Sequence, residues 1–170
     1  MPAPTPSTLI DVVDTEDHEI GTVPRGAVLE RGENFRTAHI FVFDRRGDLL
    51  LQRLAPARPR HPNRWGSSVA AYLFAGESYA SAAERRLQEE LDTETPVEEV
   101  GKLEMVDEES LKFVTLFRAE SDHPRIGEPE EISALEFRST RLIREEIARS
   151  TESFTPTFVA LFEHFGRAFD

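Results

Sequence analysis

The chain contains no cysteine. Disulfides, cysteine nucleophiles and zinc–thiolate centres are therefore excluded. Lysine is scarce as well: Lys102 and Lys112 are the only examples, so arginine supplies nearly all the positive charge. No apolar run is long enough to span a bilayer, so no membrane role is expected. No Gly-x-Gly-x-x-Gly run follows a strand-like segment, which argues against a dinucleotide-binding fold. The opening "MPAPTPST" has neither a basic n-region nor an apolar h-region. It does not read as a secretory leader, and a cytoplasmic location is the default expectation. With a formal charge of -12, the surface is poorly suited to non-specific nucleic-acid binding, because phosphates are held by Lys and Arg.

What is present fits one globular domain. A chain of 170 residues can bury a single core. Residues 1–8 read as a flexible N-terminal tail and 9–170 as one domain. "LIDVVD" and "HEIGTV" read as two short strands joined by a polar turn. "PRGAVLERG" reads as a turn or short helix. "RTAHIFVFD" is β-branched and aromatic and reads as a buried strand. "RRGD" is a hairpin turn, followed by the strand "LLLQR". A loop with Pro56, Pro59 and Pro62 follows, since proline suits neither a strand nor a helix interior. "WGSSVAAYL" reads as one further strand, and residues 78–91 as a helix. "VEEVGKLEMV" and "SLKFVTLFRAE" read as paired strands and "EISALEF" as the last strand. "TRLIREEIAR" and "TPTFVALFEHFGRAF" are amphipathic, with apolar residues at 158, 161, 162 and 165. Strands, one central helix, more strands and then helices describe a mixed sheet covered by helices, in the α+β or α/β range.

The central helix carries the chemistry. Residues 75–93 read "AGESYASAAERRLQEELDT". Ser78 is placed to cap the helix, its hydroxyl accepting from an orphan backbone N–H. Glu77 lies at the positive end of the helix dipole. Tyr79, Ala82, Ala83, Leu87 and Leu91 form one apolar stripe. Glu90 lies four residues after Arg86 and Glu89 three, so these side chains are neighbours. Paired carboxylates beside a Gly-Glu loop are the groups that Mg²⁺ uses together with substrate phosphates.

The stretch resembles the Nudix box, G-x5-E-x7-R-E-U-x-E-E-x-G-U with U apolar. Glu77, Arg85, Leu87, Glu89 and Glu90 match. Ala71 stands at the first Gly, Arg86 at the Glu after the Arg, Asp92 at the second Gly and Thr93 at the last apolar position. "LLLQRLAPARPRHPNRWGSSVA" is similar to the family segment that leads into the box. "DVVDTEDHEIGTVPRG" and "ESFTPTFVALFEHF" resemble the opening and close of the branch that includes isopentenyl-diphosphate isomerase. The resemblance implies an α/β/α sandwich around a mixed central sheet, and hydrolysis of a nucleoside diphosphate linked to another group with Mg²⁺ or Mn²⁺. It implies Glu89 and Glu90 as catalytic residues, and Glu90, Glu89 and Glu77 as metal ligands. Arg85 becomes a structural box residue that orients the glutamates. The partner it implies is a small-molecule diphosphate, and it leaves a homodimer open. The isomerase uses a cysteine in the strand before its box, where this chain has "GSSVAAYL", so isomerase activity is disfavoured.

Arg86 changes the expected chemistry. A guanidinium neither binds Mg²⁺ nor accepts a proton. At ~5 Å and an effective dielectric near 20, its charge repels a divalent ion by about 6 to 7 kcal/mol before screening. Two arrangements stay open. A metal shifts onto Glu90, Glu89 and Glu77, with a base from Glu108 and Glu109 or from Glu130 and Glu131. Alternatively, Arg86 itself replaces the metal charge, pairs with Glu90 and contacts the ligand, which is then bound without hydrolysis. Arg53, at the end of "LLLQR", is a second candidate for ligand phosphate, with a surface ion pair as its alternative role. Trp65 reads as packing beneath the proline loop, His39 as a core or edge histidine, His61 as a loop residue and the late phenylalanines as core.

Overall fold

A computed structural model describes residues 5–170. β1 (Leu9–Val13) and β2 (Glu19–Pro24) form a separate antiparallel hairpin. Residues 5–8, read as part of the tail, pack on the 3-10 turn Arg25–Ala27: Arg25 N donates to Thr8 O at 2.8 Å and Gly26 N to Pro6 O at 2.9 Å. Residues 1–4 lie outside the described residues.

The main sheet has seven strands. They are β3 (Phe35–Phe43), β4 (Leu49–Leu54), β5 (Trp65–Gly66), β6 (Val69–Tyr72), β7 (Glu98–Asp107), β8 (Ser110–Glu120) and β9 (Ile132–Arg138). β3 runs parallel to β8 while its other pairings are antiparallel, so the sheet is mixed. The expected single strand through "WGSSVAAYL" is two strands instead. Trp65–Gly66 pairs with β4, and Val69–Tyr72 crosses to β3. The reason lies between them. β3 and β4 touch only at Phe43 and Leu49 and then diverge. Ser68 bridges the gap, accepting from Val42 N at 2.9 Å and donating to Leu50 O at 2.6 Å.

The strand alternation sorts the core into two layers. Ala38, Ile40, Val42 and Leu50 pack under α1 (Tyr79–Leu91), against Ala82, Ala83, Leu87 and Leu91. Phe41, Phe43, Leu49 and Leu51 face the other way. They pack on α2 (Thr140–Arg149) and α3 (Pro156–Phe165) through Ile143, Ile147, Phe158 and Phe162. The small alanines let α1 approach the sheet closely. The result is the α/β/α sandwich that the sequence resemblance implies.

Candidate functional site

α1 starts where expected. Ser78 accepts from Ser81 N, and Gly76, at φ +82°, makes the sharp entry that a side chain would strain. The helix ends on Asp92 in the left-handed conformation, φ 49° and ψ 45°. Aspartate is among the few residues that tolerate this geometry, so the box glycine is replaced without loss of the turn.

Arg85 and Arg86 leave the helix with different tasks. Arg85 lies 3.7 Å over the Phe74 ring and forks onto Glu77, Nε to Oε2 at 2.8 Å and Nη2 to Oε1 at 2.9 Å. Phe74 N also donates to Glu77 Oε1 at 2.8 Å. Glu77, expected among the metal ligands, therefore has both oxygens committed to the turn that starts the helix.

Arg86 is buried, with three carboxylates around it. Its Nη1 donates to Glu89 Oε2 at 2.6 Å, and Nη1 and Nη2 fork onto Glu128 at 3.0 and 2.7 Å. Glu90 Oε2 lies 3.3 Å from Nε, close enough for charge attraction but not aligned for a hydrogen bond. Burial alone would lower the Arg86 pKa. Glu90, Glu128 and Glu89 outweigh it and hold the group above its ordinary range. Burial pushes Glu90 up to about 7, against the pull of Arg86 and a 2.9 Å hydrogen bond from Gln52 Nε2.

Glu128 went unnoticed in the sequence, where Glu130 and Glu131 drew attention. Gly127 sets its position. Gly127 N donates to Glu90 O at 2.8 Å and Arg125 N to Leu91 O at 2.9 Å, so this loop caps the end of α1. A side chain at Gly127 would meet Glu89 O at 2.2 Å. Glu131 pairs with Arg58 at 2.6 Å, while Glu109 and Glu130 are exposed.

These groups open onto a cavity of about 590 Å³, whose lining includes Gln52, Arg58, Arg86, Glu90, Glu128 and Glu131 and also Thr37, His39, Arg60, Tyr72, Asp107 and Lys112. That volume suits a small organic ligand. Strand alternation turns Gln52 into the cavity, while Arg53 is exposed with Nε on Asn63 O at 3.2 Å. A polar residue in "LLLQR" was the available signal for Gln52. Trp65 is half-buried, with Arg138 stacked 4.4 Å from its ring. His39 is buried but borders the cavity, its Nδ1 2.8 Å from Ser67 Oγ.

The residues do not fit a preformed divalent site at the usual place. Mg²⁺ needs oxygens at about 2.0–2.1 Å in octahedral array. Here the oxygens converge at 2.6 to 3.3 Å on guanidinium nitrogens, which fill the position an ion would take. A trio of Asp14, Glu16 and His18, the last two exposed, lies elsewhere, in the β1–β2 turn. Asp14 Oδ1 is spent on the Glu16 and His18 N–H groups.

The fold and the box helix together define the Nudix class. A family model for the NUDIX domain matches residues 33–158. The chain belongs to the Nudix family. It is 34% identical over 149 residues to a Pseudomonas aeruginosa protein described as an uncharacterized Nudix hydrolase, covering 87% of this chain and 88% of that one. It is 28% identical over 166 residues to the isopentenyl-diphosphate Delta-isomerase of Serratia proteamaculans, covering 93% and 91%. The fold is shared with a Deinococcus radiodurans crystal structure at a TM-score of 0.74 and 23% identity, covering 83% of this chain and 89% of that one. A MutT protein from Methanosarcina mazei superposes at a TM-score of 0.67 and 16% identity, covering 79% and 94%. Nudix hydrolases generally use divalent metals and act on small molecules. Among the described residues, no helix is long and apolar enough to cross a membrane.

Proposed function

We propose that this protein is Nudix hydrolase-like, taking a small molecule that carries a diphosphate into the cavity beside α1, with its metal-dependent hydrolysis impaired. One observation carries the reading: the Arg86 guanidinium sits among Glu89, Glu90 and Glu128, at distances of 2.6 to 3.3 Å. The cation of the box is thereby part of the chain. In this reading Arg58 and Arg86, which both line the cavity, meet the ligand phosphate, since arginine matches phosphate geometry through its planar fork. Glu90, with its pKa pushed up to about 7, can hold or release a proton near neutrality. No water-activating step is assigned to a metal on this carboxylate pair. An isomerase reading is not adopted, since the chain has no cysteine and Ser68 is committed to holding β3 and β4.

The same cage favours a second reading, a domain that binds its ligand without hydrolysing it. A phosphate-release screen over nucleoside diphosphate compounds, with Mg²⁺ or Mn²⁺, separates the two when run beside Arg86→Glu and a binding measurement. Slow turnover in the wild type and a metal-dependent gain in Arg86→Glu support the impaired hydrolase. Binding without turnover in both proteins selects the second reading. Wild-type turnover at rates usual for enzymes, about 1 to 10³ per second, would sink the claim of impairment.

A further inference from the structure

A second group of polar side chains lines the cavity and shares no residue with the Arg86 cage. Asp107 lies between two cations, with Arg60 Nη2 at 2.6 Å from Oδ1 and Lys112 Nζ at 3.0 Å from Oδ2. One carboxylate against two cations leaves positive charge in excess. Glu108 at the rim is exposed, where water screens it. The Arg86 cage has the opposite balance: three carboxylates surround its guanidinium, and the only further cation paired with them among the described residues is Arg85, 3.5 Å from Glu89 and itself forked onto Glu77.

Lys112 is buried on the cavity wall and spends two donors, one on Asp107 and one on Thr157 Oγ1 at 2.6 Å. An ammonium has three donors, so one remains. Thr37, two positions along β3 from the residue that pairs with Lys112, also borders the cavity. It is 6% exposed, and its Oγ1 has no hydrogen-bond partner among the described residues. Folded proteins rarely leave a buried hydroxyl unpaired, so a water or a ligand group at this wall is needed to satisfy it. His39 completes the wall as a neutral ring. Burial, aided by the charge of Lys112, lowers its pKa to about 3.

We propose that Lys112, Arg60 and Thr37 form a second subsite for an oxyanion, a carboxylate or a phosphate, at a place in the cavity separate from the Arg86 cage. The inference rests on the small-molecule reading of the cavity and extends it. The ligand carries an acidic group for this subsite in addition to the one that meets Arg58 and Arg86. Selectivity for that group then resides in residues outside the box.

Thr37→Val tests this directly, because it removes only the unpaired hydroxyl. Full-length wild type, Thr37→Val and Lys112→Met are titrated calorimetrically with inorganic phosphate and with acetate at matched ionic strength. Wild type is expected to bind one of the two anions, and the tighter one identifies the group. Thr37→Val is expected to bind it about tenfold more weakly, the loss of one hydrogen bond to a charged group, while melting at the same temperature as wild type or higher. Lys112→Met removes measurable binding. Equal anion affinity in wild type and Thr37→Val overturns the subsite, as does failure of both anions to bind wild type at tens of millimolar. The broader reading fails separately: if diphosphate compounds bind all three proteins equally, the subsite alone is lost, and if none binds, the cavity's role as a diphosphate site is lost.

Discussion

Two buried charge clusters in this molecule use the same ingredients to opposite effect. In the first, Asp17 sits in the β1–β2 turn at φ 65°. It takes Arg36 Nε at 2.5 Å, Tyr79 Oη at 2.8 Å and Lys102 Nζ. Burial would raise the Asp17 pKa, but those partners outweigh it and hold the carboxyl below its ordinary value. The cluster ties the hairpin to β3, α1 and β7. In the second, the Arg86 guanidinium serves Glu89, Glu90 and Glu128, with Arg85 adding a 3.5 Å contact to Glu89 alone, and Glu89 Oε1 and Glu90 Oε2 have no hydrogen-bond partner among the described residues. The first cluster is saturated with donors and reads as a latch. The second is short of positive charge on a cavity wall, which is where a ligand or proton can still change the balance.

The largest way to break this contrast is Arg86→Leu. Removing its guanidinium strands the buried Glu90 and the half-buried Glu128 and leaves Glu89 only Arg85 at 3.5 Å, and urea unfolding should show a loss of about 4 kcal/mol. Millimolar Mn²⁺ should recover part of that loss, since the vacated volume is ringed by oxygens. Asp17→Asn should cost about 3 kcal/mol by leaving Arg36 and Lys102 under-compensated, and Mn²⁺ should recover none of it. The sign with pH follows from the depressed Asp17 pKa. Its contribution is present above the unfolded value of 3.8 and is lost as pH falls through the lower folded value. The gap between wild type and Asp17→Asn should therefore close in acid. Equal Mn²⁺ rescue of both variants would erase the distinction between latch and cage. Gly127→Ala is expected to cost about 2 kcal/mol, because its Cβ meets Glu89 O at 2.2 Å and the loop must move. Glu128 then withdraws from Arg86, and proteolysis should cut residues 121–131 faster than in wild type.

The sequence carried most of this architecture. The β-branched and aromatic composition of "RTAHIFVFD" and the apolar stripe of the helix from Ser78 located the sheet and its covering helix, because both are local signals. The Gly-Glu turn, Arg85 and the glutamate pair fixed the box to the residue. What stayed hidden is non-local. Glu128 is one acid among many in a polar loop, and only the hydrogen bonds from Arg125 N and Gly127 N to the end of α1 single it out. Asp107 and Lys112 carry no local signal, and only the fold sets Asp107 between Lys112 and Arg60. The break at Ser67–Ser68 depends on β3 and β4 parting, which no local pattern records. Gln52 was passed over for a simpler reason: strand alternation decides which of two polar neighbours faces in, and Gln52, beside Arg53, took that position.

The finest test of the comparison is the proton on Glu90. Its pKa is pushed up to about 7 by burial and by Glu128, against Arg86, Gln52 and Arg58. A carboxyl with a folded pKa above its unfolded value of 4.5 binds more protons in the native state across that window. Its contribution is full below the unfolded value and is lost as pH rises through the folded one. Glu90→Gln keeps the shape and does not titrate. Other groups titrate in both proteins, so their effects largely cancel in the difference. Between pH 6 and 7.5 the variant should therefore gain about 1 kcal/mol relative to wild type, read from paired urea titrations at each pH. A flat difference would mean that Arg86 keeps Glu90 ionised throughout. The cage would then be saturated like the Asp17 latch, and its spare oxygens would no longer mark a site poised to exchange a proton.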